Sequence, residues 1–134
     1  GNHETAIYTH HETDLLERLT ERLRADGGIT RHGGYSGWLR MMFAVNNERS
    51  SKRLWYFHGA GGGGPVTKGM IDFNRYAESI DCDFIVTGHT HSKTYHEIRR
   101  LSLNDASNVE QKSIHMLRCS AYKDEYQDSR HVWL

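Results

Sequence analysis

Proline occurs once in the 134 residues and cysteine only twice. Cys82 and Cys119 are too few and too far apart for a disulfide framework, and no Cys-x-x-Cys pair marks a zinc knuckle, so a reducing, cytoplasmic setting is expected. Net charge is missing as well, because 17 Lys plus Arg balance 17 Asp plus Glu. The long-range attraction that basic domains exert on nucleic acid or anionic lipid is therefore lacking, and partners must be selected locally. Uninterrupted apolar runs reach only four or five residues, as in Leu54 to Phe57, which draws neither a spanning helix nor a secretory segment, and no membrane partner is expected.

What the chain has in quantity is glycine, with 13 residues, and histidine, with 10. Histidine is the commonest metal ligand and the usual proton carrier near neutral pH, so its placement decides the reading. The 37% hydrophobic and 25% charged content describes one modest globular domain over residues 1–134.

Residues 14–24 read as an amphipathic helix, with Leu15, Leu16, Leu19 and Leu23 on one face, Asp14 as its cap and Gly27 and Gly28 as its left-handed stop. After a glycine-rich stretch, residues 38–45 read as a strand, 46–52 as a polar turn and 53–57 as a second strand, forming a hairpin. The run from His58 to Pro65 can hold only a loop. A helix follows over roughly 67–80, with Met70, Phe73, Ala77 and Ile80 on one face. Residues 83–87 form a short apolar strand that Gly88-His89-Thr90-His91 terminates, and 95–103 and 113–119 read as two further strands around a polar turn. The last fifteen residues carry no pattern. Alternating elements early and paired strands late predict a mixed α/β sheet domain with helices outside it.

Three segments set histidine beside glycine: Gly1-Asn2-His3-Glu4, His58-Gly59 and Gly88-His89-Thr90-His91. The last two fall at carboxyl ends of strands, where ligands gather in α/β sheets and glycine lets backbone approach an ion or phosphate. Two imidazoles at i and i+2 can serve one ion or two neighbouring ions, and neutral imidazole suits zinc, iron, nickel or manganese. An asparagine carbonyl adds a harder oxygen. Taken singly, each segment is also an ordinary loop or terminus, and the other histidines read as plain polar residues.

The order Asn-His, then a strand-terminal His-Gly, then Gly-His-x-His resembles the last three blocks of the calcineurin-like metallophosphoesterases, from Gly1 to about Leu103. The glycine run after His58 looks like phage- and bacteria-type members. The resemblance implies part of an α/β/β/α sandwich with mixed sheets and flanking helices, and a hydrolase acting on phosphomonoesters or phosphodiesters through two divalent ions (Mn, Fe, Zn or Ni). Carried over by position, it puts Asn2, His58 and His89 on one ion, His91 on its neighbour, His3 near the leaving group and Glu4 as the brace of His3. The substrate it implies is a phosphoester on protein, nucleotide or nucleic acid.

The family's earlier blocks, Asp-x-His and Gly-Asp-x-x-Asp, have no counterpart among the 134 residues. The expectation is therefore a carboxy-terminal portion of one metallophosphoesterase domain that supplies the second half of the site. Missing strands would leave a sheet edge and a core face open to association with a partner. Asn2, His58 and His89 are neutral donors, so a dication held by them alone lacks a balancing carboxylate. A degenerate metal- or phosphate-binding domain without catalysis is the alternative. From another class comes a dinucleotide fold, since Gly59 to Gly64 satisfies Gly-x-Gly-x-x-Gly between a strand and a helix. That fold expects an acidic residue about 20 positions on, where this chain has Gly88-His89.

Overall fold

The computed structural model describes residues 2–60, 70–90 and 92–120, the side chains of Asn2 and His3 excepted. Two compact units divide the chain, Gly1–Gly37 and Trp38–Leu134.

The first unit holds α1 (Asn2–His11) and α2 (Leu15–Ala25), joined through Glu12 in the left-handed region at φ 51°. Helix α1 has no apolar stripe, its sequence being NHETAIYTHH, and periodicity gives no sign of it. Helix α2 is marked at both ends by its own residues. Asp14 Oδ1 accepts hydrogen bonds from the Leu16 and Glu17 amides, both at 2.9 Å, which satisfies two of the free N–H groups of the first turn. At the other end the Gly28 amide donates to Leu23 O at 2.8 Å and the Gly27 amide to Arg24 O at 3.0 Å, a Schellman stop with Gly27 at φ 88°. The leucine face is more open than its spacing suggests: Leu16 is half-buried, whereas Leu15, Leu19 and Leu23 are exposed.

The second unit is built on a five-stranded sheet in the order β1-β2-β3-β5-β4, with β1 Ser36–Val45, β2 Glu48–Phe57, β3 Phe84–Thr87, β4 Thr94–Leu103 and β5 Val109–Arg118. One helix, α3 (Met70–Ser79), lies between β2 and β3 in the chain. Strands β2, β3 and β5 run parallel, and β4 is antiparallel to β5. This is the mixed α/β sheet that the alternation of elements predicts. The hairpin β1–β2 closes on two residues, Asn46 and Asn47, with Asn46 at φ 54°, the left-handed backbone that such tight turns require. Strand β2 begins five residues earlier than its apolar pattern, because residues 48–53 are exposed and need no buried face to pair in a hairpin. Strand β5 likewise starts with exposed Val109 to Lys112. Of the helix expected over 67–80, residues 70–79 are helical and 67–69 lie outside the described residues.

Alternation along the paired strands sorts side chains onto two faces. Ile85 of β3 and Ile114 and Met116 of β5 face α3, where Phe73 and Ala77 complete a core with Cys82. Trp55 and Phe57 of β2 join Tyr76 of α3 on this side, with ring centroids 5.3 and 6.0 Å from the tyrosine. Fully burying a side chain such as Phe73 contributes roughly 1.5–3 kcal/mol, so this small cluster carries much of the unit's stability. The other face carries Leu54, Tyr56, Phe84 and Val86, half-buried, and Tyr95 and Leu117, exposed. Among the described residues of this unit no helix packs there, α3 lying on the opposite side.

Candidate functional site

Parallel pairing of β2 with β3, in the register Phe57 to Thr87, brings the residues that follow each strand to the same end of the sheet. His58 follows β2, and Gly88 and His89 follow β3. The Gly88 amide donates to His58 O at 3.1 Å, and the two imidazole rings lie 5.3 Å apart at 71° to one another. Residues separated by 31 positions in sequence are thus adjacent because two strands are.

Both glycines serve this approach. Gly59 sits at φ 101°, and a β-carbon on it would meet Gly88 O at 2.7 Å and the His89 Cβ at 3.0 Å. Only glycine lets these two loops come so close. His89 itself is left-handed at φ 72°, a conformation that costs a non-glycine residue about 1–2 kcal/mol. The Thr90 amide donates to Gly88 O at 3.0 Å and holds that turn.

On the next strand, Arg118 stands in register with Thr87 at the same end. Its side chain is 7% exposed, with the guanidinium carbon 4.7 Å from the centre of the Phe73 ring. Sequence reasoning passes over this arginine, and its only signal is its place as the last residue of β5. The Thr87 hydroxyl is buried and has no hydrogen-bond partner among the described residues.

Opposite this end, at the amino ends of the parallel strands, ion pairs close the sheet. Arg53 grips Asp81, with the nearer oxygen at 2.8 Å, and Lys52 lies 3.3 Å from Asp83. Burial pushes the Asp83 carboxyl upward, but the Arg53 amide, donating at 2.7 Å, and the Lys52 ammonium outweigh it and hold the group below the usual carboxylate range. Burial raises the Cys82 thiol, which leaves it a packing group rather than a nucleophile.

Of the residues that sequence reasoning assigns to the site, His58 and His89 are brought together. Asn2 and His3 fall in the first turn of α1 and their side chains lie outside the described residues, as does His91. Glu4 is half-buried on α1 and lines a cleft of the first unit with Tyr8, Asp14 and His32. The chemistry of the His58 and His89 donors fits one divalent ion. An imidazole binds a metal as an uncharged donor, so tight retention of a dication calls for carboxylates beyond this pair. No family model, curated protein or solved structure matches the chain. No helix among the described residues is long and apolar enough to cross a membrane.

Proposed function

We propose that the chain supplies half of a dinuclear metal centre that hydrolyses phosphoesters, as in the calcineurin-like metallophosphoesterases that its motifs resemble. The observation that carries this reading is the convergence of His58 and His89, at adjacent carboxyl ends of parallel strands, with rings 5.3 Å apart. Their order in the chain, after Gly1-Asn2-His3-Glu4 and within Gly88-His89-Thr90-His91, adds the motif context.

In this reading His58 and His89 bind one ion, and the motif resemblance adds Asn2 as a further ligand and assigns His91 to the neighbouring ion. Two such ions, when bound, polarise the phosphoryl oxygens and acidify a water. The same resemblance gives His3 the proton that the leaving oxygen needs and Glu4 the task of orienting it. The glycines beside His58 and His89 keep the strand ends open to a phosphate. Arg118 adds a fixed positive charge at the same end of the sheet. The aspartates of the family's Asp-x-His and Gly-Asp-x-x-Asp blocks have no counterpart in this chain, so full activity requires a segment that carries them.

The test is hydrolysis of bis(p-nitrophenyl) phosphate with added manganese, by the chain alone and by the chain joined to a segment bearing the two missing blocks. Metal-dependent turnover in the joined protein, abolished by His58→Ala or His89→Ala, is the expected result. Turnover indifferent to both substitutions, or NAD binding without metal, would overturn the reading.

A further inference from the structure

We propose a second divalent-cation site, in the first unit, formed by Asp14, Glu17 and His32, with zinc as the ion that its donors fit. It does not rest on the phosphoesterase reading. One ligand atom from each of the three residues lies within 4.8 Å of the other two. Asp14 caps α2 and Glu17 lies in its first turn, whereas His32 belongs to the segment beyond the Gly27 stop.

Helix capping explains only part of this cluster. It engages Asp14 Oδ1, which accepts from two amides, and leaves Asp14 Oδ2 and the Glu17 carboxylate as donors. Capping gives no reason for an imidazole to stand against both acids. His32 makes no hydrogen bond or ion pair among the described residues, so neither carboxylate holds it directly. An ion shared by all three would.

The geometry and charge suit zinc. Its nitrogen and oxygen ligands sit at about 2.0–2.2 Å in a tetrahedron, which places ligand atoms roughly 3.4 Å apart. The ligand atoms lie within 4.8 Å of one another, so reaching that spacing takes at most about 1.4 Å of closure, which the broad terminal torsions of the carboxylates supply. Two carboxylates neutralise the dication, a balance that His58 and His89 do not offer. The carboxylates also offset the positive end of the α2 dipole, which would otherwise repel a cation. Calcium is a poorer fit because it takes six to eight oxygens. Asp14 and His32 line a cleft of about 200 Å³ with Glu4, Tyr8 and Tyr35, which leaves room for water at the fourth position.

The ion would staple the start of α2 to the segment that follows its end, and stabilise the first unit in proportion to its occupancy. The experiment is calorimetric titration of the full chain with zinc in a His58→Ala/His89→Ala background, which removes the other candidate site. One zinc is expected to bind, and His32→Ala and Glu17→Gln are each expected to weaken it at least tenfold and to abolish the zinc-induced rise in melting temperature. Circular dichroism of the metal-free variants should match that of the metal-free background, which separates ligand loss from misfolding. Zinc binding unchanged in both variants, or absent once His58 and His89 are replaced, would overturn the proposal.

Discussion

Gly59→Ala is the substitution whose effect follows most directly from the geometry. Gly59 is buried at φ 101°, and the added methyl would stand 2.7 Å from Gly88 O and 3.0 Å from the His89 Cβ. The left-handed backbone alone costs an alanine about 1–2 kcal/mol. The clash is with backbone rather than with a flexible side-chain tip, so the His58 and His89 loops must separate, at a cost comparable with other local backbone strain of about 1–3 kcal/mol. Together these predict a loss of about 2–5 kcal/mol, a large share of the roughly 5–15 kcal/mol of a typical domain. In urea, followed by tryptophan fluorescence, the midpoint should fall by about 1–3 M. Manganese binding, measured by calorimetry, should weaken at least tenfold because the imidazoles are pushed apart. Gly27→Ala is the control, since Gly27 has φ 88° but nothing within 4 Å of an added methyl. It should cost the conformational penalty only and, with His32→Ala as the background in both proteins, leave manganese binding unchanged. A Gly59→Ala protein matching the parent in both stability and metal affinity would refute the close approach of the two strand ends.

Phe73 is fully buried and carries the ring against which Arg118 lies. Phe73→Ala should cost about 3–5 kcal/mol in denaturant titration, with Phe73→Leu losing markedly less, and equal losses would contradict the packing described. Asp83 has a folded-state pKa held below its ordinary value by the Arg53 amide and Lys52, against burial. A depressed carboxylate pKa contributes stability that is present above the unfolded value, near pH 4, and is lost as pH falls through the folded value. The parent should therefore exceed Asp83→Asn in melting temperature at neutral pH, and the gap should close below about pH 4. A gap of constant size across that range would remove Asp83 from the account of acid sensitivity.

The parts of the fold legible in the sequence are those whose residues carry their own instruction. Asp14 and Gly27 mark the ends of α2, Phe73 and Ala77 mark the buried face of α3, and the apolar residues 84–86 mark a strand covered on one face and half-covered on the other. Helix α1 was hidden because its ten residues have no apolar stripe. The outer halves of β2 and β5 were hidden because exposed hairpin strands need no alternation, their order coming from backbone pairing. His58 and His89 stood out as candidates through the glycines beside them, but their adjacency depends on β2 pairing with β3, which no local pattern encodes. Arg118 carries no sequence signal for the same reason, since a cation at a strand end looks like surface until the register sets it beside Thr87. In the sequence His32 is an isolated polar residue, and only folding sets it near Asp14 and Glu17.

Whether His58 and His89 share one ion is the question on which the functional account turns, and a double-mutant cycle on manganese binding answers it. With His32→Ala as the background to silence the first unit, His58→Ala, His89→Ala and the double variant would be titrated by calorimetry. If both imidazoles ligate one ion, each single substitution removes most of the binding and the double variant is scarcely worse, because the ion is already lost. Two independent losses that simply add, or affinities equal to that of the background, would show that these histidines do not act together and would contradict the account.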